Sequence, residues 1–198
     1  IFIGSLWSDT TGLWHTAFYP YDSKEAATLV PTLVSCKYFD MEFEDFSKLD
    51  NWEEIPTPYF DSVLTYQDYE EDVIRWMYIL GGRLCFELNE MDKWQVIPFL
   101  KGIARSGKST LITKVFRKFY EVDDIKTLSN NVEKKFGLSS IHDALMFIAP
   151  VIKGDLQLEQ AEFQSIVSGE EVSIAVKCEN AKNFVWKLPG ILGGNELP

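Results

Sequence analysis

The chain has 198 residues, 46% of them apolar and 14% aromatic, and a formal net charge of −11; that is enough for one sizeable core or one core plus a smaller lobe, and the charge argues against indiscriminate nucleic-acid binding over the whole surface. Three cysteines, Cys36, Cys85 and Cys178, are odd in number and widely spaced; that excludes a disulfide framework or a CxxC metal knuckle and points to a reducing, intracellular setting. No apolar run reaches the roughly 18 residues that span a bilayer, and no signal-peptide pattern opens the chain.

The chain starts at Ile1 and stops at Pro198 directly after "GILGGNEL", and so reads as a fragment. Its charge is uneven. Residues 1–93 hold 6 Lys/Arg against 18 Asp/Glu, a balance of −12, whereas residues 94–198 hold 13 against 12, a balance of +1. With the change of pattern near Met91 to Trp94, this divides the chain into an unassigned segment over 1–50, a helical region over 51–93 and a core over 94–198.

The first segment carries Trp7, Trp14, Phe18, Tyr19 and Tyr21. Such a cluster can stack on bases, but large aromatic side chains more often build a small core. "EEIPTPYFD", residues 53–61, has two prolines and predicts an extended connector. After it, Val73, Trp76, Met77, Leu80 and Leu84 recur at helical spacing, with Gly81-Gly82 as a weak point or a close-packing site. "WQVIPFL" then predicts a strand, "KGIARSGKS" a loop, and "TLITKVFRKFY" a helix with Leu111, Ile112, Val115, Phe116 and Phe119 on one face. Short strands follow at "IKTLS", "ALMFIA", "EVSIAVK", "NFVWK" and "GILGG", with a helix at "LEQAEFQSIVSG" that ends at Gly169. "LMFIAPVIKGDL" runs like a buried strand that breaks at Pro150. Alternating strands and helices predict an α/β layer architecture on a largely parallel sheet, preceded by a smaller, mainly helical or mixed N-terminal region.

"GIARSGKS", Gly102 to Ser109, satisfies G-x-x-x-x-G-K-[ST] between a predicted strand and a predicted amphipathic helix. The glycines let backbone amides of Gly102, Ile103, Ala104, Arg105, Ser106, Gly107 and the following Lys108, Ser109 and Thr110 close around phosphate oxygens. Lys108 reaches the β and γ phosphates of ATP, Ser109 ligates Mg²⁺, and the helix aims its positive end at the same anion. Arg105 is an extra cation, read by default as solvated.

"WQVIPFLKGIARSGKST", "LSNNVEKKFGLS", "LMFIAPVIKGDLQLEQAEFQSIVSGEEVSIAVK" and "WKLPGILGGNELP" follow one another in order. In that order they resemble the superfamily 3 helicase domain of the primase-helicases of nucleocytoplasmic large DNA viruses, over about residues 52–198. The resemblance implies a P-loop NTPase (AAA+-like) core, an ATP-hydrolysing DNA helicase that self-associates as a ring, usually a hexamer, and translocates on single-stranded DNA. It implies a viral replication site in the host cytoplasm or nucleus, a possible primase domain upstream, no membrane, and an arginine finger beyond Pro198. It also implies that Asn195, closing "GILGGN", is a catalytic polar sensor beside Lys108. Lys177, in the hairpin motif "GEEVSIAVK", becomes the DNA contact in the ring pore; on its own it is an ordinary strand-end lysine, as Asn195 is a turn residue.

One position departs from the family. Where the resemblance expects a glutamate after Ile-Ala-Pro, to polarise water or help hold Mg²⁺, the chain has Val151. Asp155 or Glu159 substitutes, or the protein binds ATP without fast turnover as a nucleotide-binding replication scaffold, or the valine is an isolated change. A P-loop kinase is a third class, for which the segments around Lys177 and Asn195 fit less well. His15 and His142 give no HExxH, and no GxSxG is present, so a zinc site or serine triad lacks support; "SSIHDAL" reads as a helix start. Lys126, Lys134 and Lys135 read as solvated, and Asn130 and Asn131 carry low weight for the nucleotide.

Overall fold

The structure is a computed structural model that describes residues 2–8, 13–19, 24, 46, 48–128, 138–153, 158–174 and 181–197, with only the backbone of 2–8 and 13–19. Strands β1 (Phe2–Ser8) and β2 (Leu13–Tyr19) pair antiparallel, with Phe2 opposite Tyr19 and Ser8 opposite Leu13. The aromatic side chains of this stretch lie outside the described residues.

Helix α1 (Pro58–Tyr66) begins inside the expected connector. Pro58 stands at its start, where the missing N–H is no loss and the fixed φ suits a helix. Helix α2 (Glu71–Arg83) follows. Tyr78 of α2 ties the two helices together through hydrogen bonds to Thr57 and Asp61. Val73 and Trp76, expected on the inner face of α2, are 41% and 47% exposed; the buried contacts are Gly81 and, past the helix end, Leu84. Gly81 is a close-packing site, since a Cβ there would stand 2.9 Å from Phe116 Cε1, while a Cβ on Gly82 would meet nothing within 4 Å.

Arg83 then pins the chain that leads to the sheet. Its guanidinium grips Asp92 through Nε–Oδ2 at 2.6 Å and Nη2–Oδ1 at 2.9 Å, and donates to the carbonyls of Trp94 and Val96. The paired guanidinium holds the Asp92 carboxyl below the usual carboxylate range.

The central sheet takes β3 (Phe99–Lys101), β4 (Ile125–Thr127), β5 (Met146–Ile152) and, last in the chain, the strand over Gly190–Gly194. Strands β6 (Glu171–Ile174) and β7 (Lys182–Val185) stay out of it and pair antiparallel with each other. In β6 Val172 and Ile174 are buried while Glu171 and Ser173 are exposed, and a strand with one wet face suits a hairpin rather than a sandwiched parallel sheet. The strand over Gly190–Gly194 is therefore β8, and the sheet order is β3-β8-β5-β4, all parallel.

Both faces of this sheet are covered, which is why "MFIA" is apolar without alternation. Met146, Ile148 and Ile191 point into one cluster with Leu84, Ile112, Phe116 and Tyr120. Phe147, Ala149 and Leu192 point into the other, with Ile166, Val172, Ile174 and Trp186. Strand β5 does not break at Pro150 but runs to Ile152. Its pairing with β8 shifts register between Ala149 and Ile152, and a proline, having no N–H to offer, fits such an irregularity.

The helix after the glycine loop is continuous but changes pitch, from an α turn α3 (Lys108–Thr110) to a π segment (Leu111–Val115) and a 3-10 segment (Phe116–Phe119). Thr113 Oγ1 donates to the Ser109 carbonyl at 2.6 Å, a bond that competes with the α ladder and loosens it there. Ile112 and Phe116 are buried as expected. Helix α4 (Gln160–Ser168) ends at Gly169, whose φ is 74°. "SSIHDAL" begins no helix: a 3-10 turn at Leu138–Ser140 is closed by His142 Nδ1 on the Ser139 carbonyl at 2.8 Å. Among the described residues no helix is long and apolar enough to cross a membrane.

These contacts set the stability of three variants. Gly82→Ala should gain about 0.5–1 kcal/mol in denaturant unfolding from helix propensity alone. Gly190→Ala should lose about 1–3 kcal/mol, because its Cβ would stand 2.2 Å from Cζ of the fully buried Phe147. Asp92→Asn should lose about 1.5–3 kcal/mol near pH 7 by removing the charged hydrogen bonds to Arg83. Since the folded-state value of Asp92 is depressed, this contribution is present above the unfolded value and fades as pH falls through the folded one. Wild type and Asp92→Asn should therefore converge in stability at low pH.

Candidate nucleotide-binding site

With four parallel strands, every C-terminal end reaches the same edge of the sheet, the edge at which such sheets bind ligands. Gly194 is the common point there. It pairs with Lys101 of β3 on one side and Ile152 of β5 on the other, and its carbonyl accepts from the Gly102 amide at 3.3 Å. The glycine loop, the end of the "MFIAPVI" strand and Asn195 are thereby brought together from places far apart in the sequence.

The loop itself is built to present amides. Arg105 and Gly107 hold φ of 66° and 88°, and left-handed residues beside right-handed ones turn successive N–H groups into a concave nest. Arg105 pays for that shape with left-handed strain of about 1–2 kcal/mol. A Cβ on Gly102 would stand 2.9 Å from Ser106 Oγ, so the loop closes over that position only because it is glycine. Among the described residues the amides of Ala104, Arg105 and Gly107 meet no acceptor, and α3 opens without a side-chain cap. Unpaired donors at a helix start are matched by an anion.

Lys108 lies folded across this nest. Its ammonium donates to the Gly102 carbonyl at 2.8 Å, the Ile103 carbonyl at 2.7 Å and Ser106 Oγ at 3.2 Å, which uses all three of its protons. Ser109 Oγ donates to the Pro150 carbonyl at 3.0 Å. That bond fixes the hydroxyl proton on β5 and leaves the oxygen lone pairs for another partner. Ile103, Ala104, Arg105 and Thr110 are exposed around the loop, Ile103 by 81%.

Asn195 is exposed immediately after Gly194, at the edge where the loop begins. Val151 follows the Pro150 that holds Ser109, and its aliphatic side chain is 59% exposed. Of the carboxylates weighed as its substitutes, Glu159 is the exposed residue at the start of α4, with no bond to the loop, and Asp155 lies outside the described residues. Lys177 falls between the paired strands β6 and β7, also outside them, as do Asn130, Asn131, Lys134 and Lys135. Lys126 is half-buried in β4. Burial pushes the Cys85 thiol up to about 12, so it offers no nucleophilic thiolate at neutral pH.

Sequence reasoning missed the part played by Gly193 and Gly194. A Cβ on Gly193 would meet Ile112 Cδ1 at 2.8 Å and the Pro150 carbonyl oxygen at 3.1 Å, and one on Gly194 would meet the Ile152 carbonyl oxygen at 2.7 Å. The pair lets the loop helix and β5 close on β8; "GG" was visible, but the strand order that gives it meaning was not. No family model and no curated protein matches the chain.

Arg105→Gly should raise unfolding stability by about 0.5–1 kcal/mol, the left-handed strain less the extra chain entropy of glycine. Arg105→Ala, which keeps the strain, should leave stability nearly unchanged.

Proposed function

We propose that this chain forms the ATP-binding core of an ATP-dependent DNA helicase of the viral replicative kind, with a P-loop NTPase fold. The observation that carries the nucleotide part is the uncapped helix start with its nest of unpaired amides, crossed by Lys108 and flanked by the Ser109 hydroxyl. A triphosphate supplies the acceptors these donors lack, and Lys108 exchanges carbonyl oxygens for phosphate oxygens. Magnesium suits the donor set: Ser109 Oγ donates a hydrogen bond to the Pro150 carbonyl, which leaves an oxygen lone pair for a hard cation that would take its remaining ligands from phosphate and water. The cation would supply charge neutralisation for phosphoryl transfer.

The helicase part rests on the resemblance of the four ordered blocks, and two features of the architecture support it. Asn195 directly follows β8, which lies between the loop strand β3 and the second-motif strand β5, a position that suits a polar sensor of the γ-phosphate. The segment with Lys177 connects an antiparallel hairpin, which suits a projecting DNA contact. Repeated around a hexameric ring, one lysine per subunit gives a basic pore while the acidic exterior stays unattractive to DNA. Val151 favours a second reading, a nucleotide-binding scaffold of a replication complex with impaired hydrolysis, since an alkyl group cannot accept a proton.

Titration of the full-length protein with a fluorescent ATP analogue and Mg²⁺ should saturate, and Lys108→Ala should weaken the affinity about 10–100-fold, the worth of a charged hydrogen bond. Absence of saturable uptake by the wild type overturns the nucleotide reading. ATP hydrolysis that rises on addition of single-stranded DNA supports the motor, and binding without any turnover supports the scaffold.

A further inference from the structure

A cavity of about 440 Å³ opens among the 3-10 turn Trp52–Glu54, Thr57 and helices α1 and α2, and shares no residue with the glycine loop. Its volume falls in the range of small-molecule sites, roughly 300–1,000 Å³. Part of the wall is aromatic. The Trp52 and Tyr78 rings stand 5.8 Å apart at 50° and form a corner, and Trp52 is 43% exposed, a large ring that lines the cavity without entering the core.

The rest of the wall is largely acidic. Glu53, Asp61, Glu71 and Asp72 line the cavity with a single cation, Arg75, a balance of −3. Two of the four acids are engaged within the protein: Glu53 pairs with Arg75 Nε at 3.1 Å, and Asp61 accepts from Thr57 and Tyr78. Glu71 and Asp72 are exposed and have no hydrogen-bond or ion-pair partner among the described residues. Their place in the first turn of α2 suits the helix dipole, but a dipole does not account for a half-exposed aromatic corner in the same cavity.

We propose that this cavity binds an organic cation, a guanidinium or ammonium group carried on an apolar stem. Charge fixes the sign, because a concave acidic surface focuses its field and repels anions. The rings fix the class: a cation over the face of Trp or Tyr is attracted by the ring quadrupole, and an apolar stem packs on the same walls. Burial and the neighbouring Asp61 push the Tyr78 phenol up, so its ring stays neutral. A metal ion fits less well, since no three acidic, histidine or cysteine side chains converge to hold one among the described residues. The contact of Arg75 with Glu53 is the one that the ligand would repeat with Glu71 or Asp72. Nothing in this site depends on the nucleotide-binding reading.

Calorimetric titration of the full-length protein with agmatine, a small alkyl guanidinium, should saturate at one equivalent. Trp52→Leu keeps an apolar side chain but removes the π face, and should weaken binding about 3–30-fold. Glu71→Gln combined with Asp72→Asn should weaken it about 10-fold or more, the worth of a charged contact. Glu121→Gln combined with Asp123→Asn removes two exposed charges outside the cavity and should leave affinity within about twofold. A short end-blocked arginine peptide serves as a second titrant: binding of agmatine alone identifies a free small cation as the ligand, and binding of the peptide, alone or more tightly, identifies a basic side chain of a partner protein. The site is refuted if neither titrant saturates, if both charge-neutralised pairs lose affinity equally, or if Trp52→Leu binds like wild type.

Discussion

The close fit of β8 between β3 and β5 is the constraint on which the rest of the molecule depends. Gly193 and Gly194 leave no side chain between the strand and its surroundings, so Ile112 of the loop helix can seat directly against β8. Widen that gap by one methyl group and three things shift together: the helix start, the Gly102–Gly194 hydrogen bond, and the Pro150 carbonyl that receives Ser109. Protein interiors are close-packed and transmit such shifts rather than absorbing them. Packing in the core and alignment of the glycine loop are therefore one problem.

The second consequence concerns the irregular places. The register shift around Pro150 and the π segment after Thr110 both lie within a few residues of Ser109 or its partner. Irregular pitch costs ladder hydrogen bonds, and π segments and bulges concentrate where a side chain must be aimed. Here the aimed group is the Ser109 hydroxyl. A regular strand would carry on pairing through residue 150 and turn its carbonyl into the sheet, where Ser109 could not reach it.

How far the sequence discloses this can be judged residue by residue. The loop was legible because its chemistry is local: glycine spacing, lysine and serine specify a backbone shape within eight residues. The central strands and α4 were legible because a buried strand and a glycine-capped helix leave strong patterns. What stayed hidden was pairing. The "EVSIAVK" and "NFVWK" runs read as short strands, the first within a hairpin motif by resemblance alone, and the residue pattern did not show that the two pair with each other outside the main sheet. The prolines of "EEIPTPYFD" suggested a connector, because a proline that opens a helix and one that prevents it look alike until the next turn is known.

The loop also shows how binding and folding share one set of groups. Lys108 satisfies the Gly102 and Ile103 carbonyls when it lies across the nest, so the loop has internal bonds of its own and its shape does not depend on the ligand. Preorganisation of that sort lowers the ordering cost of binding. On the proposed reading affinity is a difference, since phosphate oxygens would have to displace carbonyl oxygens from the same ammonium protons, while the amides of Ala104, Arg105 and Gly107 meet no acceptor among the described residues and would face no such competition. On that reading, a few oriented dipoles and one cation act at short range, where local geometry outweighs the chain's net charge of −11.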